Sequence, residues 1–140
     1  FAGDIALSIQ NERISGMFIA GICLLVGGIG IINIMLSSIS ERVREIGIRK
    51  SIGATNMDVF FQILTESIVI AVAGGIAGLI ISPMLINTLS SSADDTTPPV
   101  MTAFAMTIAF GFSVITGSLA GLFPAIKAAK LDPIQALKYD

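Results

Sequence analysis

In this chain of 140 residues, 54% are hydrophobic and only 13% are charged, with a mean hydropathy of +0.89, which excludes an ordinary soluble domain and points to a membrane protein. Eight Lys and Arg against ten Asp and Glu leave a net charge of -2, too small and too evenly signed for a nucleic-acid partner held by counterion release. No His and a single Cys remove His-based acid/base catalysis, the usual zinc ligand sets and any intrachain disulfide.

The chain opens at Phe1 without a basic segment ahead of an apolar stretch, so no signal peptide is expected in it and it is expected to be a piece of a longer protein. Residues 1–13 lead into a run without Asp, Glu, Lys or Arg from Ile14 to Ser40, the first predicted transmembrane helix (14–40). A charged segment, 41–55, follows. The second helix is expected over 56–90, with Thr55 as its cap and Asp58 in its first turn, near the positive end of the helix dipole. A short loop, 91–97, contains Asp94 and Asp95, and Thr97-Pro98-Pro99 is expected to open a third helix over 98–124. In the remaining tail, 125–140, Asp132-Pro133-Ile134-Gln135 predicts a short last helix, with Asp at the cap and Pro at the first position. Each uncharged run reaches the roughly 20 residues a helix needs to cross a bilayer. Strands of a β-barrel would alternate apolar and polar residues, whereas Ile68 to Ile81 is apolar all round. The predicted class is all-α: a polytopic membrane protein of three transmembrane helices, a short helix between the first two, and a short C-terminal helix.

Lys and Arg set the orientation. Arg42, Arg44, Arg49 and Lys50 follow the first span and Lys127, Lys130 and Lys138 follow the third, which places both segments in the cytoplasm. Residues 1–13 are then extracytoplasmic, and the intact protein is expected to have an earlier span and an extracytoplasmic region before Phe1.

Small residues recur at four-residue spacing in Gly74 and Gly78 and in Gly117 and Gly121, with Gly27, Gly28 and Gly30 in the first span. Such spacing lets helices approach closely in lipid, within one subunit or between two copies. Cys23 reads as a small buried hydrophobe. Glu66 is an acid in the second span, and intramembrane ionisable residues are candidate functional groups. It either anchors that span by pairing with Arg42 or Arg44, or serves in a conformational or ion relay. No second acid lies within a span to form a protease dyad, and the serines have no His and no mid-membrane Lys as base, so no catalytic residue is assigned.

The segment Glu41 to Thr55 is the most informative. Its charges are spaced to pair along a helix, Arg42 with Glu45 and Glu45 with Arg49. Val43 and Ile46 share one face while Ile48 and Ile52 lie roughly opposite, which a turn at Gly47 would reconcile. The first span is therefore expected to run on to Ile46, bend at Gly47 and give way to a surface helix ending at Gly53. That helix either lies on anionic lipid or docks a cytoplasmic protein, with Ile48 and Ile52 as apolar knobs and Arg49 and Lys50 at the rim.

Ser40-Glu41-Arg42, Glu45 through Lys50 and Ile52-Gly53-Ala54 together resemble the signature of the MacB/FtsX-like permeases of ABC transporters. The likeness extends upstream through Val26 to Met35, downstream through Gln62 to Ser67, and to Pro124-Ala125 and Ala128 to Leu137. It implies the last three of four transmembrane helices, with residues 1–13 as the stalk below a large extracytoplasmic domain. It also implies a coupling segment, Glu45, Ile46, Gly47, Ile48, Arg49, Lys50 and Ile52, that docks on an ABC ATPase subunit or domain. ATP and Mg would be bound by that ATPase, since no phosphate-binding G-x-x-x-x-G-K-[ST] occurs in the chain and no cofactor is expected on it. The expected activity is mechanotransmission by a dimer, with a possible extracytoplasmic adaptor, for efflux or extraction of amphiphilic compounds such as antimicrobial peptides or antibiotics. An FtsX-type control of cell-wall hydrolases is the alternative on the same scaffold. An ion-coupled transporter using Glu66 is a second.

Overall fold

A computed structural model describes residues 1–92 and 99–138. The elements run α1 (Ala2–Glu41), α2 (Val43–Ser51), α3 (Asn56–Ser92), α4 (Ala103–Ala129) and α5 (Pro133–Leu137). Helices α1, α3 and α4 are each long and apolar enough to cross a membrane. At 1.5 Å per residue, the 40 residues of α1 extend about 60 Å, about twice the hydrocarbon thickness of a bilayer.

Local chemistry accounts for most of the boundaries. Thr55 and Asp58 cap α3 reciprocally: the Thr55 N–H donates to Asp58 Oδ2 at 2.9 Å and the Asp58 N–H donates to Thr55 Oγ1 at 3.2 Å. Gly53, at φ 117, supplies the left-handed residue that turns the chain between α2 and α3. Asp132 caps α5 by accepting from the Ile134 N–H at 3.0 Å, with Pro133 in the first turn. The third long helix departs from expectation. Thr97 and Pro98, like Asp94 and Asp95, lie outside the described residues, and Pro99 to Thr102 are not helical. The helix starts instead at Ala103, where Thr102 Oγ1 accepts from the Ala105 N–H at 3.2 Å, and it continues past Pro124 to Ala129.

Helix α4 is the central element, packed on α3 along most of its length and on α1 over the second half of the latter. A Cβ placed on Gly121 would collide with the Ser67 side chain, and one on Gly117 with Ala71. One turn further, Gly75 faces Phe110 and Ser113. Each four-residue step forward on α3 thus matches a four-residue step back on α4, the register of an antiparallel pair. On α1, Gly28 meets Thr116 and Ala120 of α4, at 3.5 and 3.8 Å from where its Cβ would stand. Below it Met35 and Ile39 join Ile46, Val59, Ile63, Ala125 and Ala128 in the core, with Ile31, Phe60, Leu64 and Leu131 around them.

Within the subunit, Gly74 and Gly78 do not pack as one of the expected readings had it: they face open space, as do Gly27 and Gly30, and the packed small residue of α3 at this level is Gly75. Cys23 is exposed on α1 and is not the buried hydrophobe expected.

Candidate functional site

The charged end of the bundle brings together α2, α5, the last turn of α1, the start of α3 and the end of α4. The chain breaks at Arg42 (φ -106, ψ 11), where α1 ends and α2 begins, and not at Gly47. Gly47 lies inside α2 and is buried; a Cβ there would stand 2.6 Å from Ala136 Cβ and 3.5 Å from the Pro133 carbonyl oxygen. Its role is therefore to let α5 rest directly on α2, a contact between distant segments that local periodicity does not display.

That contact divides the seven residues of the predicted coupling segment into two faces. Ile46 and Gly47 are buried. Lys50 shares their side of α2, and its Nζ donates to the carbonyl oxygens of Ala129 and, at 2.8 Å, Leu131. The Ala129 carbonyl is the last of α4 and the Leu131 carbonyl lies in the link to α5, so an ammonium there satisfies both and complements the negative end of the α4 dipole. Burial pushes the Lys50 ammonium below the ordinary lysine range, and the Asp132 carboxylate nearby partly offsets this. Lys50 is thus occupied inside the fold instead of standing at a rim. Arg49 reaches α3, its Nη1 donating to Gln62 Oε1 at 2.6 Å. The outward face keeps Glu45, Ile48 at 46% exposure and Ile52 at 82%, with Arg44 alongside. On the neighbouring α5, Ile134 and Leu137 are also exposed.

The expected ion pairs within the segment, Arg42 with Glu45 and Glu45 with Arg49, do not form among the described residues. Arg42 pairs instead with Glu66, Nη1 to Oε1 at 3.6 Å, both side chains partly exposed. The structure therefore places Glu66 against a counter-charge at the charged end of α3, the geometry of an anchor. No cluster of His, Cys, Asp or Glu able to hold a metal exists among the described residues. Sequence reasoning missed Ala136 and the Ala129 and Leu131 carbonyls. Only the small residue at 136, within a capped five-residue helix, hinted at a close contact.

Comparison with known proteins places this geometry in context. The profile of the FtsX-like permease C-terminal domain matches residues 17–133. The chain is 47% identical over 137 residues to the macrolide export ATP-binding/permease protein MacB of Bdellovibrio bacteriovorus, covering 96% of this chain and 21% of that protein. It is 48% identical over 122 residues to the ABC transporter permease YknZ of Bacillus subtilis, covering 87% of this chain and 30% of that one. To the pyoverdine export ATP-binding/permease protein PvdT of Pseudomonas syringae pv. tomato it is 44% identical over 122 residues, covering 85% of this chain and 18% of that one. The chain thus spans between 18% and 30% of the length of these curated relatives.

Proposed function

The chain belongs to the FtsX-like permease family and is a multi-pass membrane protein, and from that premise we propose that it is the permease part of an ABC exporter of the MacB type. The observation that carries this reading is the division of α2. One face is locked onto α5 and the end of α4, while the other offers Ile48 and Ile52 to a partner. A helix meant only to lie on lipid would need no second element clamped behind it. In this reading the outward face docks on an ATPase subunit or domain, which binds ATP and Mg and performs the hydrolysis. The charged end is cytoplasmic, in keeping with its Lys and Arg residues, and the start of α1 is extracytoplasmic.

The protein acts as a dimer, with a possible extracytoplasmic adaptor, and passes nucleotide-driven movement through its helices to export amphiphilic compounds. Two relatives matched over most of this chain carry names for export of different compounds, a macrolide and pyoverdine. In this reading much of the substrate choice lies in parts of the protein outside this chain.

The test is site-specific crosslinking from Ile48 or Ile52 in the intact protein, with and without a non-hydrolysable ATP analogue. The expected product joins the permease to the ATPase and changes in yield with the analogue. Crosslinks to lipid alone would overturn the docking assignment.

A further inference from the structure

We propose that the C-terminal segment Leu131 to Leu137 is a brace that carries movement of α2 into α4, with Gly47 and Lys50 as positioning residues; this deepens the docking reading and rests on it. Gly47 sits in regular helix, where glycine is disfavoured by about 1 kcal/mol relative to Ala, and Gly53 is the residue with positive φ, so no turn requires a glycine at 47. What requires it is Ala136, whose Cβ occupies the space a side chain would take. Five residues cannot hold a helix in water unaided, because nucleation is unfavourable and few bonds follow it. Helix α5 therefore depends on its cap at Asp132 and its seat on Gly47. One turn along the same face, Lys50 holds the Ala129 and Leu131 carbonyls, so α2 grips the end of α4 at a second point.

The alternatives for transmission are weaker. Helix α2 has its main packing partner in α5 and little contact with α1 beyond the break at Arg42. Its ties to α3 are Ile46, a single side chain that enters the core beside Val59 and Ile63, one exposed side-chain hydrogen bond, Arg49 to Gln62, and the turn at Gly53. Helix α4, in contrast, packs against both other long helices, so a displacement delivered to its end reaches the whole bundle.

The experiment uses the full-length permease assembled with its ATPase, comparing backbone hydrogen exchange with and without a non-hydrolysable ATP analogue. Gly47→Ala should raise exchange of the α5 amides roughly 10-fold by overpacking against Ala136, leave the ATPase bound, and abolish the nucleotide-dependent change in α4. Adding Ala136→Gly should restore both, because size at the contact decides the outcome. Loss of the ATPase from Gly47→Ala would overturn the brace, because the contact would then serve docking and not transmission. Unchanged α5 exchange in Gly47→Ala, a normal α4 response with α5 released, or failure of the double variant to restore the response would each overturn it. Ile48→Asp separates the two readings: an ATPase that stays bound to it would remove the docking assignment while leaving the exchange result at α5 intact.

Discussion

At the charged end of the bundle Met35, Ile39, Val59, Ile63, Ala125 and Ala128 close into one core, whereas toward the other end Phe18, Ile19, Leu85, Leu89 and Phe104 of the same three helices are exposed. Both ends are strongly apolar, so hydrophobicity does not decide between them. In lipid, apolar side chains gain little by leaving the hydrocarbon for one another, and close approach depends on small residues that let backbones meet. Ser67, Ala71, Gly117 and Gly121 supply that fit between α3 and α4, and Gly28 supplies it between α1 and α4. Gly74 and Gly78 have the same four-residue spacing as Gly117 and Gly121 but face open space. Spacing alone therefore marks a smooth stripe, and the neighbour decides whether it is a seam.

The largest effect is expected where this contrast is sharpest. Gly121→Val would drive a branched side chain into Ser67 at the tightest point of the α3/α4 seam, and overpacking there should cost about 3 kcal/mol or more. Gly78→Val, with nothing within 4 Å of its Cβ position, should stay within about 0.5 kcal/mol. Thermal unfolding of the two variants in matched detergent measures the gap. Equal melting temperatures would break the distinction between seam and stripe.

Next in size is the polar clamp that distinguishes the charged end. Lys50→Met keeps the length of the side chain but leaves the carbonyls of Ala129 and Leu131 without their donor, a loss of about 1–3 kcal/mol. The same residue gives that end a pH signature. Burial lowers the Lys50 pKa in the fold, so between that lowered value and the ordinary lysine range the unfolded chain binds more protons and stability rises with pH. The desolvation penalty is fully present below this window. Urea unfolding across the alkaline range should show the rise in the unsubstituted protein and a flatter profile in Lys50→Met.

These residues also mark how far sequence reasoning reaches. The three long helices follow from stretches free of charge, and the starts of α3 and α5 follow from Thr55 and Asp132, because capping is chemistry within four residues of chain. The burial of Gly47 depends on α5 and the inward turn of Lys50 on the Ala129 and Leu131 carbonyls, 79 and 81 residues later in the chain, and no periodicity in 41–55 encodes those neighbours. For α4, the expected start at Thr97-Pro98-Pro99 gives way to Thr102, whose side chain caps the helix, and Pro99 remains outside it. The outward placement of Ile48 and Ile52 was legible, since their side of the helix is fixed by the same angular count that sets Val43 and Ile46 opposite.

A smaller effect belongs to the open end. Thr102→Ala removes the side-chain acceptor for the Ala105 N–H, and loss of such a cap costs about 1 kcal/mol. Because few tertiary contacts hold that end, the consequence should be local: faster hydrogen exchange at the first amides of α4 without a change in the global melting temperature. Asp132→Ala removes an equivalent cap at the charged end, where α5 is seated on α2, and should release the whole of α5. Fraying that spread along α4 from Thr102→Ala would mean that the open end is more cooperative than its exposed surface implies.

The smallest effect separates an anchor from a relay. Arg42 and Glu66 lie 3.6 Å apart with side chains 52% and 34% exposed, so solvent and salt screen the pair and its coupling in a double-mutant cycle should stay below about 1 kcal/mol. An anchor of this kind orients α3 against the break at Arg42 without needing a proton to move. Glu66→Gln retains the shape and a hydrogen-bonding group, and the assembled transporter should keep its ATP-dependent activity with little dependence on membrane potential. Loss of activity in Glu66→Gln with assembly and stability preserved, and a requirement for a proton or ion gradient in the parent, would instead assign the carboxylate a role in coupling. The ion pair at the charged end would then be part of a pathway, not a strut.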